Sequence, residues 1–128
     1  MRVRYVNPAL DAVPSKERSY LSPQQTFLSP GKEYEVFAVS VYDDVAFVQI
    51  IDDVDTPTFK PRSLFDVVDT NVPEDWICNV FPNGPVQLVI GPEFMARDLA
   101  SYNGMIDMDE AKFDAFWQRV RAIEQSSQ

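Results

Sequence analysis

Histidine is absent from all 128 residues, which removes Ser-His-Asp and Cys-His nucleophile systems and every zinc site built on imidazole. Cysteine occurs once, at Cys78, so no intramolecular disulfide can form and thiol usage gives no support to an oxidising compartment. Flanked by Ile77 and Asn79 in a predicted strand, with no second thiol or imidazole to work with, Cys78 is expected to be a buried structural residue. Glycine is scarce and scattered, at Gly31, Gly84, Gly91 and Gly104. That leaves no glycine-rich loop to cradle a phosphate or dinucleotide, and no cofactor is expected. No apolar run approaches the roughly 20 residues needed to cross a bilayer, and the N-terminal stretch lacks the apolar core of a secretory signal. The expectation is one cytoplasmic domain over residues 1–128.

Apolar residues make up 45% of the chain and sixteen are aromatic, enough to build a core. Charge is the distinctive property. Residues 41–75 hold nine acids (Asp43, Asp44, Asp52, Asp53, Asp55, Asp66, Asp69, Glu74 and Asp75) against Lys60 and Arg62, so seven of the nine net negative charges fall in that window. A sequence pI near 4.3 argues against binding nucleic acid or an anionic membrane, since both require a basic footprint. A concentrated negative field instead favours a basic partner.

Residues 2–6 read as a short strand, and prolines 8, 14, 23 and 30 then punctuate an irregular arm over residues 7–32. The arm is expected to wrap the domain through Tyr20, Leu21, Phe27 and Leu28, with one helical turn from Ser15 to Tyr20. Residues 34–42 and 45–51 are rich in β-branched and aromatic residues and are separated by Asp43-Asp44 alone, which is hairpin spacing. Apolar residues on both alternations place this hairpin centrally. Residues 52–61 read as an acidic loop bounded by Pro57 and Pro61, and residues 62–69 as a further strand. Pro82-Asn83-Gly84-Pro85 joins two apolar runs, 76–81 and 86–90, in a second hairpin. Residues 34–90 thus form a β meander of about five strands.

The C-terminal part, residues 92–125, is helical by pattern. Pro92 opens a helix carrying Met95, Leu99 and Tyr102 on one face and stopped by Asn103-Gly104. Asp107 then starts a second helix, with Glu110 placed for a capping box and Phe113, Phe116, Trp117 and Val120 on its apolar face. The fold class expected is α+β: a strongly curved antiparallel sheet or partly open barrel with two C-terminal helices.

No catalytic motif stands out. Asp53-Val54-Asp55-Thr56 after an apolar strand resembles the first motif of haloacid-dehalogenase-type phosphatases, but the likeness covers about nine residues and the chain lacks the βαβ alternation of that fold. Asp52, Asp53 and Asp55 have the oxygen ligands favoured by calcium or magnesium without the glycine and distal glutamate of an EF-hand loop, and no metal site is assigned. A pair of carboxylates suits a hydrolase, yet nothing selects two among so many. Phe59, inside the acidic loop, and Trp76, after Glu74-Asp75, are candidate aromatic anchors; Trp76 also begins an apolar strand and is expected in the core.

The run from residue 34 to Asp52-Asp53, then Pro61-Arg62-Ser63-Leu64-Phe65-Asp66-Val67-Val68-Asp69, then Val72-Pro73-Glu74-Asp75-Trp76, resembles small uncharacterised bacterial domains with an SH3-like or partly open β-barrel. Some of those are similar in size and acidity to immunity proteins of polymorphic-toxin systems. The resemblance supplies no catalytic residues and implies action by binding. The expected function is therefore a non-enzymatic inhibitor that occludes a basic toxin or nuclease through Asp43, Asp44, Asp52, Asp53, Asp55, Phe59, Asp66, Asp69, Glu74 and Asp75. An interaction subunit with an apolar interface and a carboxylate- or metal-dependent hydrolase are the alternatives.

Overall fold

The computed structural model describes residues 1–6, 13–18 and 27–126. Among them are eight strands, β1 (Arg2–Tyr5), β2 (Glu33–Glu35), β3 (Ala38–Tyr42), β4 (Val45–Ile51), β5 (Pro57–Pro61), β6 (Phe65–Asp69), β7 (Ile77–Val80) and β8 (Val86–Gly91). Four helices accompany them: α1 (Ser15–Arg18), α2 (Glu93–Ala96), α3 (Leu99–Ile106) and α4 (Glu110–Ser126). The fold is α+β. A five-stranded antiparallel sheet of order β5-β4-β3-β8-β7 carries α2, α3 and α4 on one face, and a three-stranded sheet of order β2-β1-β6 packs on the other face at its β4 side.

The run from Tyr34 to Tyr42 is two strands rather than one, because consecutive amides bond to different sheets. Val36 N–H donates to the Met1 carbonyl of the small sheet at 2.9 Å, and Phe37 N–H donates to the Gln49 carbonyl of the large one at 2.9 Å. Val36 accordingly packs with Val3, Tyr5 and Phe65, whereas Phe37 packs edge-on to Phe116 of α4 at 5.1 Å between ring centroids. A 3₁₀ turn, Arg62–Leu64, makes the return passage. It carries the chain from β5 to β6, so the strand expected from residue 62 starts at Phe65 and joins the small sheet.

The β3–β4 hairpin turns through Asp43 and Asp44, both in the left-handed region at φ 49° and 64°. Positive φ at both central residues is the signature of the turn that matches strand twist. Residues 57–61, expected in a loop, form β5 instead. Its prolines are tolerated because β5 lies at the sheet edge, where one backbone side needs no ladder bond. In the second hairpin Gly84 supplies the positive φ, at 95°.

The helical part begins differently from its pattern. A break at Arg97 and Asp98 divides the first helix into α2 and α3, with Asp98 capping α3 through a 2.8 Å bond from Ser101 N–H. Helix α3 then runs through Asn103 and Gly104 to Ile106, and Asp107 ends it. The α4 cap is Asp109, whose Oδ1 accepts from Ala111 N–H at 3.1 Å. Of the proline-punctuated arm, α1 is a single turn closed on the Pro14 carbonyl; Leu28 is buried in the core and Phe27 is exposed. The packing expected of Tyr20 and Leu21 lies outside the described residues.

Candidate functional site

The ten residues proposed from sequence do not meet on one surface. Asp43 and Asp44 sit at one end of β4 and Asp52, Asp53 and Asp55 at the other, with Val45–Ile51 between them, a separation of roughly 25 Å at about 3.3 Å per residue. Asp43 and Asp44 face Lys16 at 3.5 and 3.1 Å. Asp44 also exchanges bonds with Gln87, accepting from Nε2 at 2.7 Å while its N–H donates to Oε1 at 2.6 Å. These bonds, that from Gln87 first and Lys16 second, hold the Asp44 carboxyl below its ordinary range.

At the far end of β4, Asp52 is buried and its Oδ1 accepts from Val54 and Thr56 N–H at 3.0 and 2.9 Å. It shapes the turn and offers nothing to a partner. Asp53 accepts from Ser29 Oγ at 2.6 Å, Lys32 Nζ at 2.8 Å and the Tyr34 hydroxyl at 2.9 Å. The Lys32 ammonium is the chief reason its carboxyl is held low, and the same pairing raises Lys32. Asp55 is exposed, and no ion pair or hydrogen bond engages its side chain among the described residues.

Asp69 lies 3.8 Å from Arg2, which also reaches Glu33 at 3.5 Å, and Asp66 stands across the strand pair from Arg4. The small sheet therefore shows bases on its central strand between acids on both edges, which neutralises much of its own field. Asp75 makes a two-pronged pair with Arg119 of α4 at 2.6 and 2.8 Å, which holds its carboxyl low. Glu74 is exposed beside it. Phe59 is not in a loop: it is on β5, part-buried, with its ring 5.5 Å from that of Tyr102. Trp76 packs against the small-sheet core as expected, and its Nε1 is buried without a partner among the described residues. Cys78 is exposed, because the small sheet does not extend over β7.

A different grouping does form. Between β2, the 52–56 turn and the last turns of α4 lies a cleft of about 330 Å³ whose floor is Phe37, Ile51, Val120 and Ile123. Glu33, Glu35, Asp52, Asp55 and Glu124 line it, with Lys32 as the only base. Lys32 is already bound to Asp53, Glu33 to Arg2 and Arg4, Glu35 to the Met1 ammonium and Asp52 to the amides of its own turn, so among the described residues Asp55 and Glu124 are its uncommitted charges. An apolar floor below a carboxylate rim suits the stem and head of a lysine or arginine side chain, which buries its methylenes and keeps its charge at the edge.

Sequence reasoning found Asp52 and Asp55 of this set and missed Glu33, Glu35 and Glu124. The only local signals were Glu33 and Glu35 alternating about Tyr34, and Val120, Ile123 and Glu124 at helical spacing. Among the described residues, no group of three or more Asp, Glu or Cys side chains is arranged to hold a metal ion, and no helix is long and apolar enough to cross a membrane. Comparison with protein-family models, curated proteins and solved structures finds no match to this chain.

Proposed function

We propose that this chain is a non-catalytic, cytoplasmic module that binds a basic protein and blocks it sterically, as an immunity-type inhibitor blocks a toxin or nuclease. The observation that carries this reading is the cleft: two uncommitted carboxylates, Asp55 and Glu124, at the rim of an apolar floor. A lysine or arginine of the partner would lay its stem on Phe37 and Val120 and place its charge between Asp55 and Glu124, while the wider negative field speeds encounter. Affinity capture from the native cell at low salt, followed by elution with salt, tests it. A basic protein released by salt is expected, with retention cut at least tenfold for the double variant Asp55→Asn, Glu124→Gln and left intact for Asp43→Asn, Asp44→Asn. Salt-insensitive capture, or undiminished capture by the cleft variant, sinks the proposal.

A second reading, an interaction subunit with an apolar interface, rests on the large sheet itself. The β3–β8 and β7–β8 registers put Val39, Val41, Leu88, Ile90, Cys78 and Val80 on one face, none of them buried, with Val80 68% exposed. A stable dimer by sedimentation at micromolar concentration would favour this reading, and a monomer would remove it.

A further inference from the structure

Four strands lie at sheet edges, β2 and β6 in the small sheet and β5 and β7 in the large one, and an open edge offers a row of unpaired backbone groups to any other strand. Three of the four carry residues that discourage such pairing. Glu33 and Glu35 stand on β2, Asp66 and Asp69 on β6, and Pro57, Lys60 and Pro61 on β5. Strand β7, Ile77-Cys78-Asn79-Val80, has neither a charge nor a proline. Ile77, Cys78 and Val80 are exposed, and among the described residues no strand but β8 pairs with it. The direction of its amides follows from the ladder. Phe81 N–H donates to the Gln87 carbonyl at 2.8 Å, and antiparallel bonding alternates along a strand. In the β7–β8 register, Asn79 and Ile77 therefore bond to Val89 and Gly91, while the backbone N–H and C=O of Cys78 and Val80 point away from β8.

We propose that β7 pairs antiparallel with β7 of a second copy of this chain, about a two-fold axis at Asn79, so that the two large sheets become one. The occupant is a second copy because the strand is complementary to itself. With Asn79 opposite its own equivalent, Cys78 faces Val80 of the second copy, and these two outward-pointing residues exchange both backbone bonds. Ile77 faces Phe81 on the opposite side of the sheet. Glu74 and Asp75 face Gly84 and Asn83, so no charge meets a like charge across the seam. The apolar row Val41, Leu88, Val80 then continues into Cys78, Ile90 and Val39 of the second copy. The proposal rests on the apolar-interface reading, to which it gives a partner and a register, and it uses no residue of the acidic cleft.

Sedimentation of the full-length chain from about 1 to 100 µM, at about 0.15 M salt to screen its net charge, is expected to show a dimer. Isotope-filtered NMR on a refolded mixture of labelled and unlabelled chain should then give intermolecular contacts between the Cys78 and Val80 amides and between the two Asn79 α-protons. Val80→Pro removes an N–H that the β8 ladder does not use, and should weaken dimerisation at least about tenfold by deleting bonds at the seam. A dimer without the Cys78–Val80 contacts overturns the edge pairing and leaves the apolar-interface reading standing. A monomer throughout overturns both. Undiminished dimerisation of folded Val80→Pro also overturns the pairing, and the two wild-type measurements decide the matter whether or not that variant folds.

Discussion

Three donors converge on Asp53 and a two-pronged guanidinium holds Asp75, and both carboxyls are held below the ordinary value, by Lys32 and Arg119 respectively. A carboxylate whose folded value lies below its unfolded value of about 3.9 stabilises the fold fully above that value, and the contribution is lost as pH falls through the lowered folded value. Urea midpoints should therefore be flat between about pH 5 and 7 and drop below about pH 4, and Asp53→Asn should make that drop shallower. An unchanged acid limb in the variant would show that the Asp53 pairing carries no stability. Cys78 makes the complementary case, since its sequence neighbours suggest burial and the sheet leaves it exposed. Ellman's reagent should titrate one thiol in the native protein without denaturant, and a thiol that reacts only after unfolding would contradict that exposure.

Among the elements, α4 depends most visibly on one residue. Asp109 caps it through bonds to Ala111 and Lys112 N–H, so Asp109→Ala should cost about 1 kcal/mol, read as a shift of the urea midpoint at constant slope. Asp107→Ala should have no such effect, although the sequence spacing favours Asp107 as the cap. That difference shows what was legible. The two hairpins, the helical C-terminal part and the α+β class follow from periodicity and turn chemistry, which are local. The pivot at Val36 and Phe37 does not, because β propensity is the same on both sides of it and only the amides' distant acceptors, Met1 and Gln49, distinguish two strands from one. Helix α3 likewise passes through Asn103-Gly104, a strong stop by composition, once Val86, Val89 and Ala96 pack on its Tyr102 and Ala38, Met95 and Phe116 on its Met105.

For the whole molecule, charge count and charge placement diverge. The window holding most of the net charge is threaded over two ends of a sheet and across a second sheet, and much of it is answered by Lys16, Lys32, Arg2 and Arg119. The carboxylates around the cleft come from β2, the β4–β5 turn and the end of α4, segments separated by about ninety positions in sequence. Composition foretells a negative field; it carries no information about which carboxylates meet a base, since that depends on strand order. Chain topology also orders events in time. Strand β1 sits between β2 and β6, yet β6 leaves the ribosome a few seconds after β2 at about 5–20 residues per second. During that interval β1 has only one neighbour, whereas the β3–β4 hairpin can close as soon as its own few residues have emerged. Strand β1, made before both of its neighbours, is thus completed only when β6 arrives, and the nascent chain must carry the apolar side chains of Val3 and Tyr5 incompletely covered until Asp69 has been synthesised.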